Sequence, residues 1–213
     1  MTKNIELNFL ERIESMYRKT GFLFILSASA LLGCQSQIDV AQSGSLTLTG
    51  IDFGPDGTSI PDSVICPTAI TPAFSWQNAP VGTESFVITL HAPTYTEEEI
   101  AAGAEQRPFR YWWMVYNIPG SASSIEAGGT AGGTMGTNIA RGEPALGYSP
   151  PCPRGGGTDI PVDFTLFALS DELDLPEPID VTWDVLTAAM ENVLLESTTL
   201  RVTFDRVLPE TEE

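Results

Sequence analysis

Hydrophobic and polar positions alternate along much of the chain, and the alternation predicts strands. "SLTLTGIDF" reads as a first strand, and "GPDGTSIPDS" behind it has turn chemistry. "CPTAITPAFSWQNAP" is punctuated by prolines and irregular. "ESFVITL" is a strand with continuous burial expected from Phe86 to Leu90. Thr96 and Glu99 stand at capping-box spacing, so "TEEEIAAGAEQRP" is expected to form one or two helical turns on the surface.

"RYWWMVYNIPG", residues 110–120, predicts a central strand. Strict alternation puts Tyr111, Trp113 and Val115 on one face and Trp112, Met114 and Tyr116 on the other. Both sets are apolar or aromatic, so both faces should be covered, and Pro119 should end the strand. "VDFTLFAL" (162–169) predicts another strand. "TWDVLTAAMENVLLES" predicts a helix capped by Thr182, with Val185, Leu186, Ala189 and Val193 as its stripe. Residues 198–205 predict a last strand, at a sheet edge, because Arg201 and its neighbours alternate poorly.

Composition narrows the function classes. The chain has 213 residues and a net charge of −18. Such a surface repels phosphate backbones, which argues against a nucleic-acid partner. "GGTAGGTMGTNIARGE" is rich in glycine but lacks a Gly-Lys-Ser/Thr ending, so it is expected to be a plain loop and not a nucleotide cradle.

The first 33 residues have a different pattern. Arg18 and Lys19 precede an apolar run from Phe22 to Leu32 that is too short for a typical spanning helix. The run ends in "LLGC", which resembles the bacterial lipobox. Residues 1–33 are therefore expected to be a signal segment, with a start at Met16 left open, and Cys34 to be lipidated. Residues 34–45 would tether the lipid to a domain at 46–207, and 208–213 would be an acidic tail. Gln35, in place of the aspartate that marks inner-membrane retention, points to a cell-envelope location at the outer membrane.

Cys66 and Cys152 remain, an even pair in an oxidising compartment. A disulfide is one reading. A reduced Cys152 acting as nucleophile beside His91, the chain's one histidine, is another. Asp159 and Asp163 fall on one strand face by alternation and could form a carboxylate pair. Two cysteines and one histidine support no metal site, and no cofactor is called for.

Four segments, in order, resemble the phosphatidylethanolamine-binding protein family in its bacterial Raf-kinase-inhibitor-like branch. They are "ITPAFSW" (70–76), "HAP" (91–93), "WMVYNIP" (113–119), and "YSPPCP" followed by "DFTLFAL" (148–169). The resemblance implies an all-β fold, a Greek-key antiparallel β-sandwich with small peripheral and C-terminal helices. It also implies a small anion-accepting pocket. By position the pocket residues would be His91, Trp112, Asn138, Tyr148, Pro151, Cys152 and Arg154. Here His91 replaces an aspartate of the family's Asp-Pro-Asp-Ala-Pro segment, Trp112 replaces a pocket histidine, and Ile160 stands where a later histidine is expected. The pocket has thus lost donors that would converge on an oxyanion. The expectation is a non-catalytic envelope protein binding a small anionic or aromatic ligand, or an interaction protein with a degenerate pocket whose protein partners the sequence does not name.

Overall fold

A computed structural model describes residues 44–54, 59–66, 68, 70–104, 108–152 and 157–206. The expected signal segment, Cys34, residues 34–43 of the tether, Arg154 and the acidic tail lie outside the described residues.

The strands are β1 (Thr47–Gly50), β2 (Phe74–Gln77), β3 (Ser85–His91), β4 (Tyr111–Pro119), β5 (Ser124–Ile125), β6 (Thr134–Met135), β7 (Thr137–Asn138), β8 (Ala145–Leu146), β9 (Gly157–Leu169) and β10 (Leu194–Arg206). The helices are α1 (Glu97–Ala101) and α2 (Trp183–Met190), with a 3-10 turn at Pro178–Asp180. One sheet has the order β10-β9-β3-β4-β6, a second β1-β2-β5, and β7 pairs with β8. All these pairings are antiparallel. The run β9-β3-β4-β6 is a Greek key, because β9 returns by a long connection to lie beside β3.

The two larger sheets form a sandwich. Leu48, Phe74, Trp76 and Ile125 of the small sheet meet Phe86, Ile88, Leu90, Trp113, Val115 and Phe164 of the large one. The other face of the large sheet is covered by α2 and the segment before it, where Val87, Met114 and Tyr116 pack with Val181, Leu186 and Met190. With both faces covered, all seven residues of β3 are buried, its polar Ser85, Thr89 and His91 included.

Three expectations need correction. The alternation in β4 breaks at Trp112: Leu90 pairs with Trp113, but His91 pairs with Tyr111. Trp112 is the extra residue of a β-bulge, so Tyr111 joins the face of Met114 and Tyr116. A second irregularity lies between Val115 and Ile118, where Asn117 has φ 53° and Ile118 turns to the face of Trp113.

The C-terminal helix ends at Met190, and residues 194–197 belong to β10. Their pairing with β9, Leu194 opposite Leu169 and Ser197 opposite Phe167, outweighs local helical preference. β10 does lie at a sheet edge.

The glycine-rich stretch, expected as a plain loop, forms β6 and β7 directly against β4. A Cβ on Gly133 would lie 2.7 Å from the Tyr116 carbonyl oxygen, so the glycine allows the close approach.

Candidate functional site

Among the described residues, His91 does not share a face of the large sheet with Trp112 and Tyr148. Trp112, Tyr148 and Ile160 are half-buried against the sandwich core. Trp112 is fixed by its bulge, and its carbonyl accepts from the Ser149 amide at 3.0 Å. The Tyr148 hydroxyl donates to the Val64 carbonyl, and burial raises its pKa well above the usual phenol value. Pro151 is buried and Cys152 exposed. Cys66 and Cys152 are joined by a disulfide, their Cα atoms 5.6 Å apart, which ties the segment before β2 to the segment before β9.

Asn138 is used structurally. Its Nδ2 donates to the carbonyls of Ala145 and Gly147 at 3.0 and 2.9 Å, and its Oδ1 accepts from the Ala140 amide at 3.2 Å. It holds the β7–β8 hairpin closed.

His91 lies on the opposite side of the large sheet from Trp112. Its neighbour Leu90 points into the sandwich core, so His91 points towards α2. Its ring meets Trp183 edge-on at 5.1 Å and Phe109 at 5.7 Å. Nδ1 is 2.8 Å from the Ala92 carbonyl, and Nε2 is 3.0 Å from Thr165 Oγ1. Both ring nitrogens are therefore occupied. Burial holds the imidazole below its usual pKa; the Ala92 carbonyl and Asp163 oppose that shift, and Arg201 adds to it. The thiol-nucleophile reading fails here, since Cys152 is in a disulfide and His91 points to the face covered by α2.

The carboxylate pair fails as well. Asp163 is fully buried, and both its oxygens accept from Arg201, at 2.8 and 2.9 Å. Asp159 is exposed, with a left-handed backbone (φ 51°) at the irregular end of the antiparallel β9–β10 pair. One carboxylate is neutralised in an ion pair and the other is open to solvent, so the two do not form a working acid–base couple.

Register brings together a cluster that sequence reasoning missed. His91, Asp163 and Arg201 stand in one row across β3, β9 and β10, and Thr89, Thr165 and Thr199 stand in the next row on the same face. Arg201 also binds Glu99 of α1 at 2.9 Å and the Thr94 carbonyl at 2.7 Å, with its guanidinium 4.8 Å from the centre of the Tyr95 ring. Asp163 first and Glu99 after it raise the pKa of Arg201, against the opposing effect of burial. The one sequence signal was the polar positions inside otherwise apolar strands.

On the sandwich side, Trp113 is fully buried, and its Nε1–H has no hydrogen-bond acceptor among the described residues. Such an orphan donor costs about 1–3 kcal/mol.

An antiparallel Greek-key sandwich with a short helix on its outer face and this order of loop segments defines the class. Residues 40–205 match the family model for phosphatidylethanolamine-binding protein, and the chain belongs to that family. Curated relatives include UPF0098 proteins of Chlamydia muridarum, 28% identical over 151 residues, and of Chlamydia pneumoniae, 29% identical over 153 residues. Each match covers 70% of this chain and 93% of the relative. The crystal structure of the phosphatidylethanolamine-binding protein homologue CT736 of Chlamydia trachomatis superposes with a TM-score of 0.60 at 25% identity, covering 76% of this chain and 99% of that one. YbcL of E. coli, described as a member of the mammalian PEBP family, gives 0.57 at 18% identity, with 75% and 96% covered, and shares the fold.

Proposed function

We propose that this chain is a non-catalytic binding protein of the bacterial envelope, lipid-anchored through Cys34, whose ligand end accepts an aromatic or apolar group in preference to a bare oxyanion. One observation carries the ligand preference. At the positions of the family's pocket, the Tyr148 hydroxyl and the Asn138 amide are already spent on backbone carbonyls, and His91 is turned to the other face. An oxyanion needs several free donors converging on it. An aromatic ligand needs apolar walls and few polar contacts, which the half-buried Trp112 and Tyr148 can supply.

The anchoring rests on the basic pair, the short apolar run and "LLGC" in that order. The disulfide agrees with an oxidising compartment. The experiment is a titration of the processed chain with phosphate, phosphoethanolamine and indole, followed by NMR. Shifts at Trp112 with indole alone support the reading, and saturable binding of phosphate or phosphoethanolamine there overturns it. No response to any of the three would favour an interaction protein with a closed pocket. Labelled palmitate should be incorporated by the full chain and not by Cys34→Ala; equal labelling of both would refute the anchor.

A further inference from the structure

The polar row behind the sheet carries more than structure, because the direction of its hydrogen bonds can be deduced. A carbonyl only accepts, so the contact of His91 Nδ1 with the Ala92 oxygen places the ring proton on Nδ1. In the neutral ring Nε2 then has only a lone pair. Thr165 Oγ1, 3.0 Å away, must donate its single proton to it. Thr165 Oγ1 is also 2.9 Å from Thr199 Oγ1. With the Thr165 proton already used, Thr199 must be the donor in that contact. The chain of donation runs Thr199 to Thr165 to His91.

Its two ends lie in different surroundings. His91 is 4% exposed and Thr165 5% exposed, whereas Thr199 is exposed on the edge strand β10. At neutral pH the surface hydroxyl sends its proton inward and shows only lone pairs to solvent. If the imidazole takes up a proton, Nε2–H donates to Thr165, Thr165 donates to Thr199, and the Thr199 hydroxyl proton turns outward. Every donor and acceptor of the relay remains paired in both states, so protonation reverses the chain without leaving a polar group orphaned.

We infer that His91, Thr165 and Thr199 form a hydroxyl relay that reports the protonation of a buried imidazole at the protein surface, switching Thr199 from acceptor to donor. The groups around the ring suit the role. Asp163 on β9 favours the charged ring and Arg201 on β10 disfavours it, with Glu99 of α1 bound to Arg201. β4 contributes Tyr111 and α2 contributes Trp183, with Phe109 packed against both. Burial sets the uptake below the ordinary histidine range. The relay shares no residue with the ligand end at Trp112 or with the lipid anchor at Cys34.

His91 is the only histidine, so NMR of the full chain labelled with 15N-histidine and methyl-labelled threonine isolates both ends of the relay. At neutral pH the ring should be the Nδ1–H tautomer, and the Thr199 methyl signal should move with the same midpoint as the ring. In Thr165→Val the Thr199 signal should stop following the ring. Its ring midpoint should also fall, by about one pH unit or tenfold in proton affinity, because the charged form loses the stronger hydrogen bond. Thr165→Ser keeps the hydroxyl and should keep the two midpoints together. An Nε2–H tautomer at neutral pH, or a Thr199 signal in the native chain indifferent to the ring midpoint, overturns the relay. Both are read in the native protein, so the conclusion does not depend on Thr165→Val folding.

Discussion

Asn117, in the middle of "VYNIP", gives the sharpest quantitative test of how β4 is built. Its backbone lies in the left-handed region at φ 53°. Its side chain faces the backbone of Leu173 like a partner strand: Nδ2 donates to the Leu173 carbonyl at 2.9 Å, and Oδ1 accepts from the Leu173 amide at 2.8 Å. Two effects therefore meet at one residue. Asparagine tolerates the left-handed conformation, which costs alanine about 1 kcal/mol more. The two hydrogen bonds contribute about 1 kcal/mol each, and more when the groups left behind are partly buried.

Asn117→Gly relieves the backbone but loses both bonds, and should lose about 2–3 kcal/mol. Asn117→Ala loses the bonds and adds the strain, so about 3–4 kcal/mol is expected. For a domain of this size that is a fall of roughly 6–16 °C in Tm. The assay is urea unfolding of the oxidised protein, followed by tryptophan fluorescence. Were Asn117→Gly as stable as the native chain, the pairing with Leu173 would have no energetic weight. Were glycine and alanine equal, the backbone argument would be wrong.

Three further outcomes follow from the same physics. Trp76 and Trp113 sit in one cluster, but the Trp76 Nε1–H donates to the Ala122 carbonyl at 3.0 Å and that of Trp113 has no acceptor. Trp76→Phe should therefore cost about 1–3 kcal/mol more than Trp113→Phe, and equal losses in urea would contradict the assignment. The Cys66–Cys152 bridge closes a separation of 86 residues, so Cys66→Ser with Cys152→Ser should lose about 4 kcal/mol of stability, read as a lower urea midpoint with no change in the fold by circular dichroism. His91 has a folded pKa below its unfolded value, so between the two the unfolded chain holds more protons. Stability should be full above about pH 6.5 and decline as pH falls through that value, by at most about 1.4 kcal/mol per pH unit; His91→Gln should flatten the slope, and an equal slope in that variant would place its origin elsewhere.

The local grammar of the chain was enough for much of the fold. The mostly apolar stretch at residues 86–90 read as a strand covered on both faces, and it became the buried β3. The spacing of Thr96 and Glu99 specified a capping box, which α1 has. Thr182 specified where α2 begins. These features depend on contacts within a few residues, so a linear reading reaches them.

What the chain did not display was anything set by pairing between distant strands. Where α2 ends and β10 begins was decided by the free edge of β9, which captured residues that locally favour helix. The bulge at Trp112 moved Tyr111 across the sheet, and the direction of β3 sent His91 away from the positions it was expected to join. The row of His91, Asp163 and Arg201 spans more than a hundred positions and exists only in the register of three strands. A one-residue shift turns a strand's side chain to the opposite face, and shifts of that size come from tertiary pairing, which alternation along one strand does not encode.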